Sequence, residues 1–360
     1  MRNLQNVPLA IVAWVCTMMP AFAQGDQFYN PALPITAIYQ EGLAAIDSAD
    51  WAKAAIQLRQ VIYADPLRKD AWFNLAFTYY QMGDFLETER HIEKLLSIDP
   101  FYEKAHELYG TALYQRGEYE RAAGAFNYEL SVRPNKELLV KRALCFIAQG
   151  NPKYALTDLD EVLYEDPGHI HACLAKGAAL IELGQYTYAL RFLNRIIEND
   201  PENIAALTNR AICHFHLGDQ QLSIVDFGNA LSIEPWLPTL LARAKCALAA
   251  GQFNTAISDV KAAMLLHSNA PEVYFLLGEI EMRQGKYEKA IESFEIALSL
   301  DHTCLDCRLL KSEAATYIAD FDSAIKDIYT VLEEAPNNDQ AREMLLWVYA
   351  QMDRKHNVEK

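Results

Sequence analysis

Apolar residues along the chain return every three or four positions, not every second one. In residues 71–81 (AWFNLAFTYYQ), Trp72, Leu75, Ala76 and Tyr79 fall on one face of an α-helix. A second helical stretch is predicted from 85 to 98, with Phe85, Ile92, Leu95 and Leu96 on one side. Gly83 lies between the two, where a permissive backbone ends one helix and turns the chain. Pro100 closes the second, because the residue before a proline is pushed out of the α region. The predicted unit is therefore helix A, tight turn, helix B, loop.

The same punctuation recurs. Prolines stand at Pro66, Pro100, Pro134, Pro167, Pro201 and Pro235, each 33 or 34 residues from the last. Glycines keep the same step at Gly83, Gly117, Gly150, Gly184, Gly218, Gly251 and Gly285. A period of this length marks a stack of supersecondary units. Residue size carries the argument further. One helix A register reads Gly42, Ala76, Gly110, Ala143, Gly177, Ala211, Ala244, Gly278 and Ser312. The helix B register assigned to face it reads Ala54, Thr88, Ala122, Ala155, Ala189, Ser223, Ala256, Ala290 and Ala324. Helix backbones approach closely only where side chains are small. Bulky residues recur four positions after the small helix B residue, at Leu58, Ile92, Phe126, Leu159, Leu193, Phe227, Val260, Phe294 and Ile328, and fill the space around the crossing.

These residues resemble the tetratricopeptide repeat pattern W-x2-L-G-x2-Y…A-x3-F…P. It is best matched by Trp72, Tyr79 and Pro100 in the second unit and by Tyr274, Leu277, Gly278, Ala290 and Phe294 in the eighth. The resemblance covers nine units: 35–68, 69–102, 103–136, 136–169, 170–203, 204–236, 237–270, 271–304 and 305–338. A capping helix is expected at 339–352, with Leu345, Leu346 and Tyr349 inward, and a flexible charged tail at 353–360. Three positions depart from the pattern: Ala319 replaces the turn glycine of the ninth unit, and Ser268 and His302 stand where prolines are expected.

The resemblance implies an all-α, α-α superhelix whose helix A side chains line a concave groove. It also implies a non-enzymatic scaffold that binds peptide or protein segments. Within that geometry the groove residues are Tyr39, Phe73, Asn74, Phe77, Tyr80, Lys104 and Tyr114, followed by a cationic set of Lys141, Asn209, Lys245 and Arg283. Aromatic anchors supply contact area at low entropy cost. The competing reading is that Tyr80 and Tyr114 follow the repeat pattern and touch only the neighbouring helix, and that the cations are solvated. A subset of the family clamps a terminal carboxylate with Lys, Asn and Arg. The corresponding positions here are Tyr39, Leu43, Asn74, Lys104 and Leu108, of which only Asn74 and Lys104 match, so that clamp is not expected.

Composition and the N-terminus change the picture in two ways. With 32 Lys+Arg against 48 Asp+Glu, the net charge of −16 speaks against nucleic-acid binding, which needs clustered cations. Residues 1–23 read as a secretory signal peptide: Arg2, thirteen mostly apolar residues from Val7 to Met19, then Ala21-Phe22-Ala23. Cleavage after Ala23 would leave an extension at 24–34, no transmembrane segment, and an exported protein, periplasmic or extracellular, acting in envelope assembly or secretion.

Candidate chemistry is sparse. Cys145, Cys213 and Cys246 share one helix A register and read as core thiols, as does Cys173. Cys304 and Cys307 are different, sitting on the first turn of a helix. A disulfide, free thiols, or redox or metal-linked activity all fit that spacing. His214 and His216 diverge around a helix and cannot share a metal, while His169 and His171 fall in a predicted loop and remain open. No metal site or cofactor is expected. A glycan-binding carrier, with Trp and Tyr as stacking platforms, is the third reading.

Overall fold

The computed structural model describes residues 34–358. The signal expected at 1–23 and nearly all of the extension at 24–34 lie outside the described residues. Among those residues there are nineteen α-helices and no strand. Eighteen of them form nine hairpins. The first five are α1 (Ile35–Asp47) with α2 (Trp51–Ala64), α3 (Lys69–Gln81) with α4 (Phe85–Ile98), α5 (Ala105–Gln115) with α6 (Tyr119–Val132), α7 (Lys136–Ala148) with α8 (Pro152–Glu165), and α9 (Ile170–Glu182) with α10 (Tyr186–Asn199). Then come α11 (Ile204–Leu217) with α12 (Gln220–Ile233), α13 (Leu237–Ala249) with α14 (Phe253–Leu266), α15 (Pro271–Arg283) with α16 (Tyr287–Leu300), and α17 (Leu305–Tyr317) with α18 (Phe321–Glu334). α19 (Asp339–Val358) ends the chain's described part. The fold is an all-α repeat of the α-α superhelix class. The described residues up to Ile196 form one compact unit, and those from Ile197 onward form another.

Each hairpin is closed by a left-handed residue after helix A. Gly83 has φ 77° and the later turn glycines lie between 70° and 89°. The amide of Gly83 donates to Tyr80 O, and that of Asp84 to Tyr79 O, satisfying the carbonyls that the helix end leaves open. Ala319 keeps the same shape at φ 62°, with Ala319 N on Thr316 O and Asp320 N on Ala315 O, so the ninth turn is preserved at the cost of a strained alanine. Ala49 does the same in the first unit at φ 55°. Helix B then starts on an acidic cap in several units. Asp50, Asp84 and Asp320 accept from the backbone amides of Lys53, Glu87 and Ser323.

The loop prolines turn out to be replaceable for a reason the sequence does not display. The fourth residue of helix A reaches back six positions to the carbonyl of the proline site. Trp72 Nε1 donates to Pro66 O at 2.8 Å, and Arg342 Nη2 donates to Pro336 O at 2.6 Å. Tyr274 and Arg308 make the same bond to the carbonyls of Ser268 and His302. What the loop supplies here is an acceptor, which any residue carries.

The small helix A register also works differently from expectation. It is the bulky helix B residue, not the small one, that lies nearest. A Cβ on Gly42 would meet Leu58, on Gly110 Phe126, on Gly177 Leu193 and on Gly278 Phe294. Each small residue leaves room for a large side chain from its own partner helix, and those side chains are fully or almost fully buried.

Two boundaries shift. α5 begins at Ala105 because Lys104 adopts a left-handed backbone, φ 62°. α19 continues to Val358, past the expected end of the capping helix at 352 and through most of the segment 353–360 expected as a loose tail. Val348 and Ala341 of α19 are fully buried against Ile328 and Val331, with Leu345 half-buried beside them, whereas Leu346 and Tyr349, expected inward, are exposed at 71% and 39%.

Candidate protein-binding face

Within each compact unit, helix A of one hairpin touches helix A of the next: α1 with α3, α3 with α5, α5 with α7 and α7 with α9, and separately α13 with α15, α15 with α17 and α17 with α19. Within each unit these A helices share a layer, which carries Tyr39, Phe73, Asn74, Phe77, Tyr80, Tyr114 and Lys141 in the first and Lys245 and Arg283 in the second.

In residues 34–196 that layer is aromatic. Phe73 packs against Tyr102 with ring centroids 5.3 Å apart, Phe77 meets the edge of Trp51 at 6.3 Å, Tyr80 lies 5.6 Å from Phe85, and Tyr114 meets Tyr119 at 5.2 Å. All four groove rings are half-buried: one edge seals the core and another stays open. Burial pushes the Tyr114 phenol up to about 12, so it stays a neutral donor at physiological pH.

Tyr39 is not open to a partner. It is buried in the first core cluster, its hydroxyl accepts from Asn74 Nδ2 at 2.9 Å, and the Arg68 guanidinium lies 3.9 Å from its ring centroid. Asn74 is thereby committed to holding Tyr39, and beside them Tyr102 donates to Asp70 at 2.9 Å. Asn209 is also a correction: at 2% exposure it is part of the packing, not of an accessible wall.

One member of the cationic set is paired, and two others act on a half-buried acid. Lys141 Nζ sits 2.6 Å from Glu107 Oε1 on α5. Lys245 and Arg283 both act on Glu279, holding down a carboxyl that burial pushes above its ordinary range. Lys104 is exposed. Glu107, the acid paired with Lys141, precedes it by one repeat in the sequence.

A second set of residues carries its own signal in the sequence. Arg142 grips Asp158 through two bonds of 2.8 Å, Arg210 grips Asp226 through two of 2.7 Å, and Arg243 grips Asp259 at 2.9 and 2.5 Å. In each case helix A is clamped to its own helix B by a bidentate pair whose aspartate is almost fully buried. The signal is an Arg directly before the small residue with an Asp sixteen positions later, three times over.

Cys145, Cys173, Cys213 and Cys246 are buried thiols, and burial pushes Cys145, Cys213 and Cys246 up to about 12. Cys304 and Cys307 are joined by a disulfide across the first turn of α17. His169 is a helix cap, its Nδ1 accepting from Ala172 N and its Nε2 lying 3.0 Å from Glu137, so one nitrogen of the pair is engaged by backbone. Among the described residues no three His, Cys, Asp or Glu side chains are grouped to hold a metal, and no helix is long and apolar enough to cross a membrane.

Models of the tetratricopeptide repeat match residues 39–103, 78–136, 108–170, 146–211 and 271–304, together more than half of the chain. The chain is a tetratricopeptide repeat protein. Such repeats mediate protein–protein interaction, and the similar proteins agree with the fold. A tetratricopeptide repeat protein from Parabacteroides merdae superposes with a TM-score of 0.56 at 22% identity, over 68% of this chain and 98% of that one. PilW, a type IV pilus biogenesis factor, gives 0.54 at 18% identity, over 58% and 98%. Among curated proteins, DnaJ protein P58IPK homolog B of Oryza sativa subsp. japonica is 22% identical over 71% of this chain and 61% of its own length. Human DnaJ homolog subfamily C member 3 is 25% identical over 55% and 43%. This tetratricopeptide repeat chain therefore spans only about half of such relatives.

Proposed function

We propose that the aromatic A-helix layer of residues 34–196 is a groove that holds extended or helical segments of other proteins. The observation that carries this is the state of Phe73, Phe77, Tyr80 and Tyr114, each fixed on one side by packing and open on the other. Rings held in place before a partner arrives lose little further freedom on binding. Pairing of Lys141 with Glu107 argues that apolar anchors, not a run of acidic residues, provide the recognition. The relatives named as DnaJ proteins, and one named as a tetratricopeptide repeat and J domain-containing co-chaperone, fit a role in holding protein segments. The leader expected from the sequence at residues 1–23 is what supports setting that work outside the cytoplasm, in envelope assembly or secretion.

The redox alternative rests on the Cys304–Cys307 disulfide alone, in which Cys307 is buried and Cys304 half-buried, with no strand beside it among the described residues. The glycan alternative has no observation of its own on this layer, where Phe77 and Tyr114 meet Trp51 and Tyr119 edge to face and Phe73 and Tyr80 are tilted against Tyr102 and Phe85.

The test uses peptides selected from a random library on the full chain. Phe73→Ser combined with Phe77→Ser is expected to weaken the selected peptides by roughly tenfold or more, with Tyr164→Ser, on an exposed ring of α8, as the unaffected control. Melting curves confirm that each variant is folded. Equal affinity in the groove variant would contradict the proposal.

A further inference from the structure

α19 keeps the helix A pattern with two changes. One repeat beyond the small residues Gly278 and Ser312 stands Leu346, and one repeat beyond the turn residue Ala319 stands Asp353, through which α19 runs on to Val358. The glycines of earlier hairpins leave room for a bulky side chain of their own helix B, as Gly278 does for Phe294. Leu346 fills that room. With no turn at Asp353, no helix B folds back onto α19 among the described residues. The side that a helix B covers in every earlier hairpin is therefore open here, and its residues are not those that receive one.

That side is apolar in the middle and charged at both ends. Arg342, Leu346, Tyr349 and Asp353 follow one another at steps of four, three and four residues, the spacing of a seam between two helices, and all four are exposed. Ala341 and Val348, on the opposite side of α19, face the core. Met352 and, on α18, Tyr329 widen the apolar part, and the hydroxyls of Tyr329 and Tyr349 lie 3.5 Å apart. Arg342 uses Nη2 on Pro336 O and has Nη1 3.5 Å from Asp339, a carboxylate that is itself almost wholly in solvent. Its fork thus keeps one arm on the open side.

We infer that a second copy of this chain covers this side, its α19 lying antiparallel on the first across a two-fold axis between Trp347 and Val348. The order of the charges selects that occupant. Turned end for end, the stripe Arg342, Leu346, Tyr349, Asp353 is complementary to itself. Leu346 meets Tyr349 of the second copy, Arg342 meets Asp353 of the second copy, and both pairs recur with the copies exchanged, as a two-fold interface requires. A parallel pairing would set arginine on arginine and aspartate on aspartate, which repel. Steps of three and four suit a shallow crossing of two helices, with Leu346 in the seam and not in a gap left for a neighbour. One helix pair flanked by Tyr329 of each copy is smaller than a standard interface, so the association is weak and follows concentration. This inference goes beyond the groove reading and does not depend on it.

The experiment is sedimentation equilibrium of the full chain from about 1 to about 100 μM. The mean mass is expected to rise with concentration toward that of two chains. Leu346→Lys, at an exposed position, should weaken association roughly tenfold or more with circular dichroism unchanged. Arg342→Glu and Asp353→Arg decide the orientation. Each alone sets like charges against each other at both ends of the seam and should weaken association. An equimolar mixture of the two restores opposite charge in both pairs and should associate more tightly than either variant by itself. Should Arg342→Glu lose its fold with its bond to Pro336 O, Leu346→Lys and Asp353→Arg still decide the matter. The mass of one chain at every concentration would overturn the inference and leave this side to a different protein. Association indifferent to Leu346→Lys or to Asp353→Arg, or no gain on mixing the two folded charge variants, would overturn it as well.

Discussion

A methyl group on Gly278 would sit 2.5 Å from Phe294 Cε1, and one on Gly110 would sit 2.8 Å from the same atom of Phe126. Phe294 is fully buried and has nowhere to turn. Alanine in mid-helix gains about 1 kcal/mol of propensity over glycine, whereas overpacking a filled core costs about 1–3 kcal/mol. Gly278→Ala is therefore expected to destabilise in urea unfolding by about 1 kcal/mol. Adding Phe294→Leu should recover most of it, because Ala143 and Leu159 already form that combination in the fourth unit. Unit six carries Ala211 and Phe227 in the same registers, so the helix approach there must differ locally. Charge at single positions is equally readable. Glu313 is half-buried on α17, and burial alone raises its carboxyl above the ordinary value of 4.5. An acid whose folded pKa is raised binds its proton more tightly folded than unfolded, so the native state loses stability as pH rises through that folded pKa. Glu313→Gln should thus stabilise at pH 7, and the gain should shrink to nothing as pH falls below about 4. An advantage independent of pH would contradict burial as the cause.

At the level of the helix and its turn, period and punctuation were legible because they follow from backbone geometry. Glycine marks a left-handed turn and small residues mark close approach, whichever side chains surround them. The helix expected over 85–98 is α4, Phe85–Ile98. The left-handed Ala49 and Lys104, and the continuation of α19, were not legible, since nothing in the identity of Ala, Lys or Asp353 announces them. The alanine turns carry a test of their own. Gly117, at φ 78° with nothing near a future Cβ, should lose about 1 kcal/mol as Gly117→Ala from backbone strain alone. Ala319→Gly should gain a smaller amount, because the strain relieved is partly offset by a more flexible unfolded chain. Thermal melting of the two variants should shift in opposite directions.

Across the whole molecule, stability in such a repeat is a sum of hairpins and their nearest-neighbour contacts, so no single residue defines the fold. The candidate site was less readable than the fold for the same reason. Tyr39 and Asn209 occupy groove registers by position, yet burial removes both from reach, and burial depends on which neighbours are large. Lys141 has a groove register by position, yet Glu107, one repeat earlier, pairs with it. The rings of Phe73, Phe77, Tyr80 and Tyr114 were legible, because aromatic residues recurring on helix A have only two places to go, the seam or the open layer, and here they occupy both. The central claim is that partners are held on that layer. Hydrogen exchange of the full chain with and without a selected peptide tests it most directly. Slowed exchange concentrated in α3, α5 and α7, with α4, α6 and α8 little changed, is the expected footprint. Protection confined to the B helices would contradict it.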